Sequence, residues 1–222
     1  MRNGKLIVLE GLDGSGKSTQ MEQLKTRCAA AGLPVRHVKL PDYDSPACAA
    51  VRMYLDGKLG DSPSDVNAWA ASSFYAVDRF VSYQTKWKDA YQSGTIILAD
   101  RYTTSNAYHQ MVKLPRAQWD DFLAWLADYE YDKLGLPRPD LVLYLDMPIA
   151  VSQDLMEQRG AVLDIHERNR QYLSDCREAA LYVAQKRGWH VVPCVAPEGT
   201  RSIKEVHAQI WQISEPVVTK SE

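Results

Sequence analysis

Long hydrophobic runs, paired cysteines and an excess of charge of one sign are all missing from this 222-residue sequence. No apolar stretch approaches the roughly 20 residues that a membrane-spanning helix needs. The first residues have neither the apolar h-region nor the cleavage site of a secretory leader, so a cytoplasmic location is the expectation. Cys28, Cys48, Cys176 and Cys194 lack the spacing of a disulfide framework or a zinc site and read as packing residues kept reduced. With 26 basic and 28 acidic residues the net charge is −2, which argues against the broad electrostatic grip that a nucleic-acid polymer demands. Repeats, low-complexity tracts and linkers are absent too. What remains is 45% hydrophobic, enough for one buried core and a single domain over residues 1–222.

Short apolar runs alternate with longer helix-like segments. Strands are predicted at residues 6–9, 35–40, 95–99, 141–145 and 190–195. Helices are predicted at 19–31, 45–55, 64–92, 115–129, 148–158, 165–187 and 203–213. This order specifies an α/β protein, a three-layer αβα sandwich around a five-stranded parallel sheet. Ligands of such sheets sit beyond the carboxyl ends of the strands, so the residues that follow each strand carry the functional reading.

After the first strand, residues 11–18 read Gly-Leu-Asp-Gly-Ser-Gly-Lys-Ser, a complete G-x-x-x-x-G-K-[ST] phosphate-binding loop. Gly11, Gly14 and Gly16 permit backbone angles that turn consecutive N–H groups, those of Ser15 and Thr19 included, onto phosphate oxygens. Lys17 adds a point charge at the β/γ-phosphates, and the Ser18 hydroxyl suits Mg²⁺. The helix that follows aims its positive end at the same anion. After the third strand comes Asp100-Arg101-Tyr102: a carboxylate suited to hydrated Mg²⁺ and a guanidinium able to bridge phosphates, with a structural ion pair as the alternative. After the second strand, Pro41-Asp42-Tyr43 offers a rigid wall for a second site.

Taken together, the block from Glu10 to Gln20 with Asp13 inside the loop, then Leu40-Pro41, Tyr75-Ala76-Val77-Asp78-Arg79 and Asp100-Arg101-Tyr102, resembles thymidylate kinases over nearly the whole chain. The resemblance implies a P-loop nucleoside monophosphate kinase with a short lid at about residues 157–166. It implies transfer of the γ-phosphoryl group from ATP to dTMP, use of Mg²⁺, and a homodimer formed through helices such as 64–92. At the matched positions, Asp13 meets the acceptor sugar or organises metal and phosphates, an Asx turn being the alternative. Tyr75 stacks on thymine, Arg79 hydrogen-bonds the base from the same helix face, and Arg101 clamps the acceptor phosphate. The resemblance also implies that Pro41 belongs to the acceptor side, that Ser105 and Asn106 face the base, and that Arg52 meets the acceptor phosphate, a surface salt bridge being its alternative. An acceptor phosphate is already an anionic nucleophile, so catalysis reduces to alignment and charge neutralisation.

The chain departs from the family pattern at three places. Tyr75 replaces the usual phenylalanine. His109 stands, counting from Asp100, where many relatives have the tyrosine that excludes a ribose 2′-hydroxyl; a surface histidine without a role is the alternative. An acceptor such as dUMP or UMP therefore remains open, as does a regulatory P-loop switch. Ser15 occupies the place where some relatives have a catalytic arginine. The missing charge is then expected from the lid, from Arg159, a solvated lid arginine being the alternative, with Asp164 and Glu167 organising that region and Arg168 and Arg170 as basic alternatives.

Overall fold

The computed structural model describes residues 3–158, 165–166 and 169–219. Its centre is β1 (Leu6–Gly11), buried along its whole length. This strand pairs in parallel with β3 (Ile96–Asp100) on one side and β4 (Leu141–Asp146) on the other. The strands β2 (Val35–Lys39) and β5 (His190–Pro193) pair outside these, giving the all-parallel order β2-β3-β1-β4-β5. Connections leaving β1 and β3 run in opposite directions across the sheet, so the crevice beyond their carboxyl ends is the switch point at which ligands of such sheets bind.

The period-two alternation of β1 assigns its side chains to two cores. Ile7 and Leu9 pack with Met21 and Leu24 of α1 (Lys17–Ala30) and Ile210 of α9 (Ile203–Thr219). Leu6 and Val8 face the opposite layer, meeting Trp87 and Tyr102. That layer contains α3 (Ala68–Ser82), α4 (Lys88–Gln92), α5 (Thr103–His109), α6 (Trp119–Ala127) and α8 (Arg170–Arg187), with α2 (Ala49–Leu55) against α3 and α7 (Ile149–Gln158) after β4. Each of these fully buried aliphatic side chains contributes about 1.5–3 kcal/mol, and the sheet is covered on both faces. All four cysteines are buried and free. Among the described residues no helix is long and apolar enough to cross a membrane.

Several predicted boundaries are corrected by end chemistry. The helix expected at 64–92 starts at Ala68, because the Asn67 carboxamide oxygen accepts the Ala70 N–H at 2.9 Å and caps it. It then widens into a π turn at Tyr83–Trp87 before α4. The helix expected from 165 starts at Arg170, capped by Asn169 through the Tyr172 N–H at 3.0 Å, and ends at Gly188 with φ 69°. The last strand stops at Pro193, which has no N–H to continue the ladder; Val195–Ala196 instead pairs antiparallel with Gly199–Thr200. The final helix extends past residue 213 to Thr219, through Pro216.

Candidate active site

The phosphate-binding loop lies between β1 and α1, as its sequence requires. Gly14 has φ 78°, and a Cβ there would stand 2.5 Å from the Ser152 carbonyl oxygen, so only glycine fits. The hydroxyl of Ser15 is buried with no hydrogen-bond partner among the described residues, an orphan that a bound phosphate oxygen would satisfy. Lys17 is buried, and its ammonium donates to the Leu12 carbonyl at 3.0 Å. Burial and the nearby Arg101 push it below the usual lysine range, against the opposing pull of Asp13. Ser18, Thr19 and Asp100 line the same cleft.

Arg101 is the one residue other than glycine with positive φ, 66°, among the described residues, a conformation costing about 1–2 kcal/mol. Glu10 holds the segment that follows it. Fully buried, its carboxylate accepts the Tyr102 N–H at 3.1 Å and the hydroxyls of Thr104 at 2.6 Å, Ser105 at 2.8 Å and Tyr108 at 2.8 Å. The Tyr108 oxygen in turn accepts from Arg101 at 3.1 Å. Arg101 also donates to Asp13 at 2.8 Å. Burial alone would raise the Asp13 carboxyl, but Arg101 and Lys17 outweigh it and hold it far below the usual carboxylate range. Burial alone would lower the Arg101 guanidinium, and Asp13 reverses that. Both side chains are charged throughout the physiological range.

A second cleft opens on the other side of this pair. It shares Asp13, Leu40, Pro41, Tyr43 and Arg101 with the loop cleft and adds Tyr75, Arg79, Ser105, Asn106, His109 and His166. Arg79 is 3% exposed and makes a bidentate pair with fully buried Glu130, with 2.7 Å to each oxygen, and donates to the Tyr102 carbonyl at 3.2 Å. Burial opposes its charge, and Glu130 restores it. The Asn106 amide nitrogen donates to Glu130 at 3.0 Å and to the Ser72 carbonyl at 3.2 Å. His109 is buried, its Nε2 3.4 Å from Arg101. Burial, then Arg101 and His166, lower it well below the usual histidine range, so the imidazole is neutral. His166 stacks on it at 5.6 Å and shares a 2.8 Å hydrogen bond with the Tyr54 hydroxyl.

Two clefts that meet at a charged pair, one of them floored by a phosphate loop, are the architecture of transfer between two nucleotides. The family model described as thymidylate kinase matches residues 9–210. The chain belongs to the thymidylate kinase family. It is 31% identical to the thymidylate kinase of Mycobacterium tuberculosis (strain H37Rv) over 195 residues, covering 83% of this chain and 87% of that protein. It is 28% identical to the human thymidylate kinase over 221 residues, covering 98% and 92%. A Candida albicans thymidylate kinase structure superposes with a TM-score of 0.72 at 24% identity, over 97% of this chain and 92% of that one, a likeness of fold.

Most of the residues that the thymidylate kinase resemblance singles out converge on the two clefts, but several are committed to protein partners. The Ser105 hydroxyl is spent on Glu10, and Arg79 is an ion-paired core residue at the cleft wall. His109 is not on the surface. Arg52 is outside both clefts and donates to the carbonyls of Tyr43 at 2.6 Å and Ser45 at 3.1 Å, bracing the loop after Pro41. Arg159, Asp164, Glu167 and Arg168 lie outside the described residues, as does most of the expected lid. The sequence reading missed Glu10, Glu130 and His166. A charged residue closing an otherwise apolar strand was a usable signal for Glu10, whereas Glu130 sits in the acidic run Asp128-Tyr-Glu-Tyr-Asp and reads as solvated surface.

Proposed function

We propose that this chain is a dTMP kinase that transfers the γ-phosphoryl group of ATP to dTMP, giving dTDP and ADP. The observation that carries the reading is the Asp13–Arg101 pair standing where the phosphate-loop cleft and the base-sized cleft join. ATP takes the loop cleft, its phosphates on the backbone amides of residues 14–19 and on Lys17. The acceptor nucleotide takes the second cleft, with its ring against Tyr75 and its phosphate toward Arg101. Arg101 and Lys17 draw the two phosphate groups together and offset their repulsion, which is the main barrier when the nucleophile is already an anion. Pro41 and Leu40 close the wall between the clefts and exclude water from the transfer.

Mg²⁺ fits the donor set. Ser18 and Asp100 both line the loop cleft, and no cluster of three His, Cys, Asp or Glu side chains able to cage a metal occurs among the described residues. One hydroxyl and one carboxylate suit an ion that keeps water and takes substrate phosphate oxygens as its other ligands. When bound, it supplies charge neutralisation at those oxygens. In our reading the chain is a single cytoplasmic domain whose lid, near residues 157–166, brings Arg159 and Asp164 to the site. A homodimer is supported by the apolar residues left exposed on neighbouring α2 and α3: Met53 at 43%, Trp69 at 41% and Val77 at 48%. Light scattering at micromolar concentration tests it, and a monomer mass removes it.

The deciding experiment is a coupled ADP-release assay with dTMP, dUMP, UMP and no acceptor. Release that depends on acceptor and is fastest with dTMP is expected. Equal efficiency with UMP and dTMP overturns the thymidylate assignment, and acceptor-independent release overturns transfer itself.

A further inference from the structure

We propose that Glu130 is a specificity-determining positioning residue: one buried carboxylate fixes the hydrogen-bond polarity of the two side chains facing the acceptor base, so that the site takes a 4-oxo pyrimidine and rejects a 4-amino one. The inference rests on the second cleft being the nucleobase site, as proposed above.

The argument is a count of donors and acceptors. An ionised carboxylate only accepts hydrogen bonds, and a carboxamide has two donor hydrogens on nitrogen and an acceptor oxygen. Asn106 is clasped between two acceptors, Glu130 at 3.0 Å and the Ser72 carbonyl at 3.2 Å, so both its N–H donors are used and its amide cannot turn over. Its oxygen, which meets no donor among the described residues, is the group left for the cleft that Asn106 lines. Arg79 has five N–H donors; Glu130 and the Tyr102 carbonyl take three of them. Two donors are left on a guanidinium that is 3% exposed and also lines the cleft. The wall therefore presents an acceptor from Asn106 and donors from Arg79.

A thymine or uracil ring offers N3–H as donor and O4 as acceptor, the complement of that wall. A cytosine ring offers a bare N3 and a 4-amino group, which sets acceptor against acceptor and donor against donor. Each mismatch leaves a buried polar group unpaired, the situation in which hydrogen-bonding sites discriminate most strongly. Glu130 is well placed to impose this order because it lies in the π turn Asp128–Lys133, where the wider backbone turns its side chain inward, fully buried. It thereby ties α3 and α5 to one carboxylate.

The test compares dTMP with 5-methyl-dCMP, which differ only at the 4-position and N3. For the unaltered protein, kcat/KM should favour dTMP by at least about 100-fold; near parity overturns the proposal. Glu130→Gln replaces one acceptor oxygen with a donor and frees the Asn106 amide to turn. Glu130→Asp keeps the charge beside Arg79 but is too short to reach both partners, and so serves if the first variant folds poorly. In either variant the KM for dTMP should rise about tenfold or more, the KM for ATP should stay within about twofold, and the preference for dTMP should shrink at least tenfold. A Glu130 that only supports the fold would lower thermal stability and the active fraction while leaving the preference unchanged, and that result overturns the proposal. Asn106→Ala separates the two levels. If it alters neither the dTMP KM nor the preference, the base-site reading fails and this inference with it. If it alters both while the Glu130 variants alter neither, only the role of Glu130 fails.

Discussion

Replacing Glu10 with glutamine removes one charge and exchanges one oxygen for an NH₂ group, and the structure indicates which oxygen. The Tyr102 N–H that Glu10 accepts at 3.1 Å is a backbone donor that cannot reverse, so the glutamine oxygen stays on that side, where it also keeps Thr104. The NH₂ group then faces the hydroxyls of Ser105 and Tyr108, both 2.8 Å from the original oxygen. Ser105 can rotate to accept. Tyr108 cannot do so freely, because its oxygen already accepts from Arg101 at 3.1 Å and its own proton would have only the Gly11 carbonyl, a long 3.5 Å away, inside a buried site. An orphaned buried donor costs about 1–3 kcal/mol, and the loss of charge assistance in the remaining bonds adds about 1 kcal/mol. The sum is roughly 2–4 kcal/mol, or about 5–15 °C in melting temperature for a chain of this size. Turnover with dTMP should fall about tenfold more than the loss of folded protein explains, because Arg101 loses its tyrosine brace. Differential scanning calorimetry beside steady-state kinetics measures both, and a shift under 2 °C would refute the account of Glu10.

Gly14→Ala should place a methyl group 2.5 Å from the Ser152 carbonyl at a residue with φ 78°, costing about 1–3 kcal/mol in backbone strain alone; ATP affinity measured by calorimetric titration should be lost with it. Lys17→Met should lower turnover by about 10²–10³ while leaving the apoprotein's melting temperature unchanged or higher, because a desolvated cation beside Arg101 is removed. The two stacked histidines make a pH prediction. Burial and Lys113 hold His166 down to about 3, and burial, Arg101 and His166 hold His109 low, so both are neutral in the native state. Below the ordinary histidine value the unfolded chain binds protons that the native state does not. Stability is therefore complete above about pH 6.5 and is lost as pH falls, at up to about 1.4 kcal/mol per pH unit for each histidine. Urea midpoints at pH 7.5 and 5.0 should draw closer by one proton's worth in His166→Gln, and an unchanged difference would count against the assignment.

The fold was legible in the sequence because its signals are local. Residues 6–9 are continuously apolar, the glycines of the loop are specific about backbone angle, and the alternation of runs leaves little choice but a parallel sheet. Helix ends were less legible, since Asn67 and Asn169 cap only once tertiary packing has selected where the helix starts. The acceptor side was half legible. Tyr75, Arg79 and Asn106 line the second cleft together, yet the hydrogen-bond partners of Arg79 and Asn106 are set by Glu130, a residue more than 20 positions away in sequence from Asn106 and with nothing in its own neighbourhood to mark it as buried. Hydrogen-bond polarity is a property of three elements meeting, and no periodicity encodes it. His166 was passed over for a related reason: it lies in a turn, and its partners Tyr54 and His109 come from two helices distant from it in sequence.

Formal charge at the junction of the clefts makes the strongest case for a contribution from outside the described residues. Lys17 and Arg101 bring two positive charges, and Asp13, Glu10 and Asp100 bring three negative ones, all close enough to influence Lys17. The cluster is net negative before any phosphate arrives, although its purpose in the proposed reaction is to hold two phosphate groups together. The amino end of α1 supplies roughly half a positive charge, and a divalent ion at Ser18 and Asp100 supplies more. Some relatives place an arginine inside the loop itself, but here that position is Ser15, whose hydroxyl brings no charge. In the proposed reaction a further cation joins them when substrates bind, and Arg159 is the one arginine within the expected lid, residues 157–166. Arg159→Ala should lower kcat by about 10²–10³ with little change in either KM, because the charge is needed at the transferring group and not at either base. Turnover within twofold of the unaltered protein would show that the deficit is met elsewhere, and Arg168 or Arg170 would then be the residue to substitute.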